Sequence, residues 1–126
     1  MPIWLTRTEI CAWAATREAQ ADLPRLVRKL IFGSARRVVE IHFRAGEGVQ
    51  LGGWDGRAVI EGGDTYLPEG SSVWEMGAGE NPQSKAEDDY NKRVEEPAGI
   101  DPGTSTFIFV TPRQWAGKEA WAAAKR

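Results

Sequence analysis

The sequence predicts a small α+β or mixed α/β domain, in which helices flank a single sheet. Apolar residues repeat with helical spacing over the first quarter of the chain and then alternate as in strands, from the segment "RVVEIHFR" onward. The predicted order is helix, helix, strand, strand, strand, helix, strand, helix. A chain of 126 residues has room for one hydrophobic core, so we expect one domain over residues 1–126.

Two helices are predicted before the first strand. Thr6 and Glu9 have the spacing of a capping box, which predicts a helix over about residues 7–19. In "DLPRLVRKLIFG", a second helix would take Asp22 as its N-cap. It would carry Pro24 in its first turn, bury one apolar stripe and end at Gly33 as its C-cap, with Leu23, Leu26, Val27, Leu30 and Ile31 forming the stripe.

Three strands follow. The first buries alternate residues and exposes the others, with Val39, Ile41 and Phe43 on one face and Glu40, His42 and Arg44 on the other. A glycine-rich turn, "AGEGVQLGG", leads to a second strand that starts at or just after Asp55, and "SSVWEMG" predicts a third. Short connections of this kind favour an antiparallel meander.

The last third of the chain predicts a helix, a strand and a helix. Ser84 and Glu87 have capping-box spacing, which predicts a helix over about 84–95. "TFIFVT" is apolar at consecutive positions, as expected of a strand covered on both faces.

A final helix would open at Thr111 and Pro112 and carry Trp115 and Trp121. It runs to the final residue without a stop signal. This predicts either a frayed terminal helix or one module, amino-terminal in position, of a longer protein.

The sequence has one cysteine and one histidine, and these counts exclude several kinds of site. Cys11 is the one cysteine and His42 the one histidine, which excludes an intramolecular disulfide, a cysteine-cluster zinc site and the two-histidine zinc motifs. A metal here would be held by oxygen, which favours Mg²⁺, Mn²⁺ or Ca²⁺.

The charge is unevenly distributed. Residues 1–44 carry eight basic and four acidic side chains, a net of +4, whereas residues 45–126 carry a net of −6. Five of the early basic residues either contact a nucleic-acid backbone or only keep a helix face and a loop solvated. They are Arg25, Arg28, Lys29, Arg36 and Arg37. No apolar run is long enough to cross a bilayer, so we expect a cytoplasmic protein without a membrane partner.

Two carboxylates are the first candidates for chemistry. Asp55 lies in the glycine-flanked segment "GGWDG", where it also suits a turn. Glu75 interrupts an apolar segment, and burying a carboxylate is costly unless it is paired, hydrogen-bonded or bound to a metal. Alternatively, Glu75 faces solvent on a half-exposed strand. If the second and third strands are antiparallel neighbours, both acids reach the same edge of the sheet and would share a divalent cation.

Lys85 would complete such a site. It lies in the first turn of the predicted third helix, where the helix dipole disfavours a cation by roughly 0.3–1 kcal/mol when exposed. A nearby anion would offset that cost, and Asp89, at i+4, is the local alternative.

The tryptophans have two interpretations. Six is many for this length, and core packing accounts for most of them. Trp54, in the glycine-rich turn directly before Asp55, is the candidate for stacking on bases or sugars.

These residues carry a family resemblance over about residues 7–111. The order α-β-β-β-α-β, with an aspartate at the start of the second strand and a glutamate in the third, resembles the restriction-endonuclease-like (PD-(D/E)XK) nuclease superfamily. "GGWDG" is similar to the glycine-flanked aspartate of Mrr-like restriction domains, which also occur as modules of bacterial anti-phage defence proteins. The resemblance implies a four-stranded mixed sheet flanked by helices.

The resemblance also implies a function. It implies DNA cleavage that depends on Mg²⁺ or Mn²⁺, with Asp55 and Glu75 as metal ligands and Lys85 as the catalytic lysine. The family's lysine stands two residues after the glutamate, where this chain has Gly77, but some members carry it on the following helix. The partners implied are DNA and either a second copy of the chain or further domains.

Two other functions stay open. A degenerate nuclease-like module would bind nucleic acid or a protein without cutting. A sugar-binding or glycoside-processing domain would explain tryptophans beside paired acids, although such enzymes are generally larger and need a deep cleft.

Overall fold

The computed structural model describes residues 6–43, 54–63, 67–97 and 99–125. The glycine-rich turn predicted between the first two strands, together with Arg44, lies outside these ranges. The helices and strands, in chain order, are α1 (Arg7–Ala14), α2 (Arg17–Ser34), β1 (Arg37–Phe43), β2 (Gly56–Glu61), β3 (Gly70–Met76), α3 (Pro82–Glu95), β4 (Ser105–Val110) and α4 (Lys118–Ala124).

The four strands form one mixed sheet in the order β1-β2-β3-β4. β1, β2 and β3 are an antiparallel meander, and β4 lies parallel to β3 beyond the connecting α3. The predicted α+β class, element order and mixed sheet are therefore confirmed.

The predicted boundary between the first two helices is wrong. The capping box at Thr6 and Glu9 is present, but α1 ends at Ala14 and α2 runs without a break from Arg17 to Ser34. The turn lies at Thr16, whose hydroxyl donates to the carbonyl of Trp13 at 2.7 Å.

The predicted caps of the second helix therefore fall inside α2 or its last turn. Asp22 and Pro24 lie within the helix, and the backbone cap is Ala35 rather than Gly33. Burial explains the continuity, because one stripe of the helix is buried from Ala19 through Leu23 and Val27 to Ile31, and its last three members pack in the core with sheet residues. Leu26 and Leu30, also predicted for this stripe, are exposed.

The alternation predicted for β1 is broken by an irregular register between Val38 and Glu40. One extra residue in a strand moves the side chains before it to the opposite face of the sheet. Val39 is consequently exposed, while Val38 joins Ile41 and Phe43 against the core. His42 lies on the exposed face, as expected, and pairs with Glu40 at 2.9 Å.

α3 begins two residues earlier than predicted. Asn81 caps it by accepting from the backbone N–H of Ser84 at 3.1 Å, so a capping box at Ser84 is wrong. Glu87 instead accepts from Trp121 Nε1 at 2.7 Å and from Lys125 Nζ at 2.8 Å.

α4 begins at Lys118 rather than at Thr111. The hydroxyl of Thr111 accepts from the backbone N–H of Arg113 at 3.1 Å, but this bond closes a local turn rather than starting a helix. Trp121 lies in α4, whereas Trp115 precedes it and packs edge-on against Phe109.

The sheet carries helices on its two faces. α2 covers the face that presents Ala58, Ile60, Trp74 and Met76, which form the main core cluster with Leu23, Val27 and Ile31. The residues that alternate with these along each strand point to the opposite face of the sheet. They include Val73, Glu75 and Phe107, and α3 lies over this second face through contacts to Glu75 and Phe107. Both sides of β4 are thus partly covered, as predicted.

Within the part of the chain that the structure describes, no helix is long and apolar enough to cross a bilayer.

Candidate active site

Asp55 and Glu75 lie side by side across the β2–β3 pair. The backbone N–H of Asp55 donates to the carbonyl of Trp74 at 3.1 Å, which extends the ladder one residue before β2. Asp55 Oδ2 accepts from the backbone N–H of Met76 at 3.0 Å. These bonds hold the Asp55 carboxylate against the end of β3, so the predicted meeting of the two acids at one sheet edge is what the structure shows.

Glu75 is a buried carboxyl with a strongly perturbed pKa. Its residue is 3% exposed. Burial, and next the negative charge of Asp55 and a hydrogen bond between the two carboxyl groups, raise the pKa of Glu75 to about 8. Near neutral pH Glu75 therefore holds its proton. The alternative of a solvent-facing Glu75 is wrong.

Arg93 of α3 is a second partner of Glu75 that the sequence did not single out. Its Nε donates to Glu75 Oε1 at 3.1 Å, with side chains 11% and 3% exposed. Its guanidinium carbon also lies 5.5 Å from the centroid of the Trp54 ring. The bond to Arg93 lowers the pKa of Glu75, but less than burial and Asp55 raise it.

Lys85 lies over Gly77. A Cβ added to Gly77 would stand 3.0 Å from Lys85 Cγ and 3.4 Å from its Cε. The stem of Lys85 therefore fills the space into which a side chain at position 77 would extend, two residues beyond Glu75. Its ammonium group is partly exposed and bonds Asp89 Oδ1 at 3.0 Å.

Asp89 is a third acid at this centre. It is 8% exposed, its Oδ2 is buried without a hydrogen-bond partner among the described residues, and its charge also raises the pKa of Glu75. The sequence marked Asp89 as a helical partner of Lys85. The missed signal is that the same helix face also carries Arg93, one further turn along.

The oxygen donors of the acidic side chains decide whether this centre suits a divalent cation. Within the described ranges, no three Asp, Glu, His or Cys side chains are grouped as a metal site. Mg²⁺, however, is commonly bound by one or two carboxylates with water completing its shell. The adjacent carboxyl groups of Asp55 and Glu75 are two such oxygen donors, so the residues fit.

The early basic residues do not join this centre. Those on α2 lie across the sheet from it, because α2 packs on the opposite face. Arg28 lies over the Phe32 ring, and Arg37 pairs with Glu61 at 3.0 Å. Arg25, Lys29 and Arg36 are exposed. Their contact with nucleic acid stays a prediction.

Trp54 is adjacent to the centre but buried. It is 3% exposed and donates its indole N–H to the Pro97 carbonyl at 3.0 Å. Its ring packs against Phe107 and the guanidinium of Arg93. Any stacking on a base would occur inside the fold rather than on the outer surface.

Comparisons with models of known families, with curated proteins and with solved structures yield no significant match to this chain.

Proposed function

We propose that this chain is a divalent-cation-dependent nuclease domain that hydrolyses phosphodiester bonds in DNA. The observation that carries the proposal is the position of Lys85 over Gly77, beside the paired carboxyl groups of Asp55 and Glu75. The restriction-endonuclease-like resemblance supplies DNA as the substrate and bacterial defence as the setting.

Each residue has a distinct role in this proposal. Asp55 and Glu75 would hold Mg²⁺ or Mn²⁺, which supplies charge neutralisation and an activated water when bound. Glu75 must release its proton first, so higher pH favours the competent state. Lys85 donates to the attacked phosphate and stabilises the negative charge that develops there. Asp89 positions the Lys85 ammonium through their 3.0 Å bond.

A cleavage assay on supercoiled plasmid DNA with Mg²⁺ or Mn²⁺ tests the proposal. The parent protein is expected to nick the plasmid, and Lys85→Met is expected to slow nicking by about 10²-fold or more, the scale seen when a charge-stabilising donor is removed. Lys92→Met is the matched control, because Lys92 is an exposed lysine of the same helix. Equal nicking by the parent and Lys85→Met would contradict the role of Lys85.

One observation favours a second function, a nuclease-like module that binds without cleaving. The guanidinium of Arg93 bonds Glu75 and supplies a built-in positive charge where a metal would otherwise be needed. A parent protein that shifts the anisotropy of labelled DNA but leaves it intact in both metals would support this second function and refute the first.

A further inference from the structure

A cavity of about 490 Å³ lies next to the acidic centre. Its volume falls within the roughly 300–1,000 Å³ typical of small-molecule sites. The later half of α3, the start of β4 and α4 surround it. Arg93 belongs to both places, because it lines the cavity and bonds Glu75.

Aromatic rings form much of the cavity wall. The rings of Trp54 and Phe107 have centroids 6.1 Å apart, those of Tyr90 and Phe107 5.5 Å, and those of Tyr90 and Trp121 5.9 Å. All three pairs meet edge to face or nearly so. Such a wall presents ring faces and edges in several directions, which suits a flat aromatic ligand.

The charged lining is basic. Arg93 and Lys125 line the cavity, and the described lining residues include no aspartate or glutamate. Lys125 Nζ stands 5.1 Å from the Tyr90 ring centroid and 2.8 Å from Glu87 Oε1. A ligand that carries both a flat ring and an anionic group would therefore match the wall and its charge.

We propose that this cavity binds a nucleoside 5′-phosphate unit, with its base among the aromatic rings and its phosphate at Lys125 and Arg93. The choice of a nucleotide among flat anions rests on the proposed function. The unit is either a free mononucleotide or one nucleotide of single-stranded DNA, and both present the same chemistry.

Calorimetric titration in EDTA tests nucleotide binding at this site without metal. A failure to bind nucleotide is therefore distinguishable from a failure of metal-dependent cleavage. The probes are deoxyadenosine 5′-monophosphate, deoxyadenosine and the single strand (dA)₄. The monophosphate is expected to bind saturably and about tenfold more tightly than the nucleoside, as one charge-assisted contact provides. Tighter binding of (dA)₄ would identify the strand as the source, and tighter binding of the monophosphate would identify the free nucleotide.

Two variants locate the binding. Lys125→Gln is expected to lose about tenfold in affinity for the monophosphate and to leave deoxyadenosine unchanged, because a phosphate contact is removed. Lys118→Gln, at the first residue of α4 and outside the cavity, is the control.

Because Lys125 also bonds Glu87, a second variant keeps that bond. Ala122→Phe places a ring in the cavity from an exposed position of α4 and is expected to abolish binding of all three probes. Ala120→Phe is the control, because Ala120 is exposed on the same helix but does not line the cavity, and this variant is expected to bind all three probes. No saturable heat in the parent protein, or full binding by Ala122→Phe with an unchanged melting temperature, would overturn the proposal.

Discussion

Glu75 is the residue at which the fold departs furthest from ordinary carboxyl chemistry. Its ordinary pKa of 4.5 is raised to about 8, chiefly by burial and next by Asp55. Between these two values the folded chain holds a proton that the unfolded chain has released. The free energy of unfolding contributed by Glu75 is therefore fully present below about pH 4.5, falls as the pH rises and levels off above about pH 8.

Glu75→Gln tests that linkage, because glutamine does not titrate. In EDTA, urea unfolding of the parent should lose stability relative to Glu75→Gln as the pH is raised from about 5 to about 8, by up to about 1.4 kcal/mol for each pH unit. Groups that do not interact with Glu75 titrate alike in both proteins and cancel in the comparison. Parallel pH profiles for the two proteins would show that the carboxyl of Glu75 is not perturbed in this way.

Lys85 and Gly77 allow a rescue experiment, in which a lysine at position 77 replaces the one lost at position 85. Lys85→Ala should abolish plasmid nicking, and adding Gly77→Lys to it should restore part of the activity, since the space over position 77 is vacated when the Lys85 stem is removed. Gly77 does not have a positive φ, so a lysine there meets no backbone penalty.

Gly77→Ala in the otherwise unchanged chain is the companion variant. Its Cβ would approach Lys85 Cγ to 3.0 Å and displace the ammonium, which should lower nicking without unfolding the protein. A Gly77→Lys/Lys85→Ala double variant as inactive as Lys85→Ala would refute the idea that the lysine acts from this position.

At the scale of elements, α2 carries a proline in its interior. Pro24 lacks the N–H that would donate to the carbonyl four residues earlier, and its ring crowds that turn. Pro24→Ala should raise the free energy of unfolding by about 1–2 kcal/mol, less than the full cost of an interior proline because the unfolded chain also gains freedom. Chemical denaturation measures the change.

Pro82→Ala is the control for Pro24→Ala, because Pro82 occupies the first position of α3, where a missing N–H costs nothing. It should leave stability unchanged or slightly lower. A Pro24→Ala protein no more stable than the parent would show that α2 has already adapted to its proline.

Element types were predictable from the sequence, but several boundaries were not. Hydrophobic periods, capping signals and turn residues together identified all eight elements in their order. Asp22 and Pro24 look locally like a helix start, yet the buried stripe extends back to Ala19 and continues the helix through them. The irregular register at Val38 and Glu40 depends on pairing with β2, which no local pattern reveals.

At the scale of the whole molecule, the sequence anticipated part of the acidic centre. Asp55 and Glu75 were predicted to meet because antiparallel neighbours reverse direction, which is a property of topology. Arg93 and the buried oxygen of Asp89 were not predicted, since their place depends on how α3 lies across the sheet. The aromatic cavity beside them likewise depends on the docking of α4 against α3 and β4.

We propose that Asp55 and Glu75 share one divalent cation, and Mn²⁺ titration by calorimetry at about pH 8 decides between this arrangement and its absence. The parent and Asp88→Asn, a control at an exposed acid of α3, should bind one Mn²⁺, more weakly at about pH 6, where the proton on Glu75 competes. Asp55→Asn should bind none. No metal heat in the parent, or equal binding by Asp55→Asn, would contradict the claim.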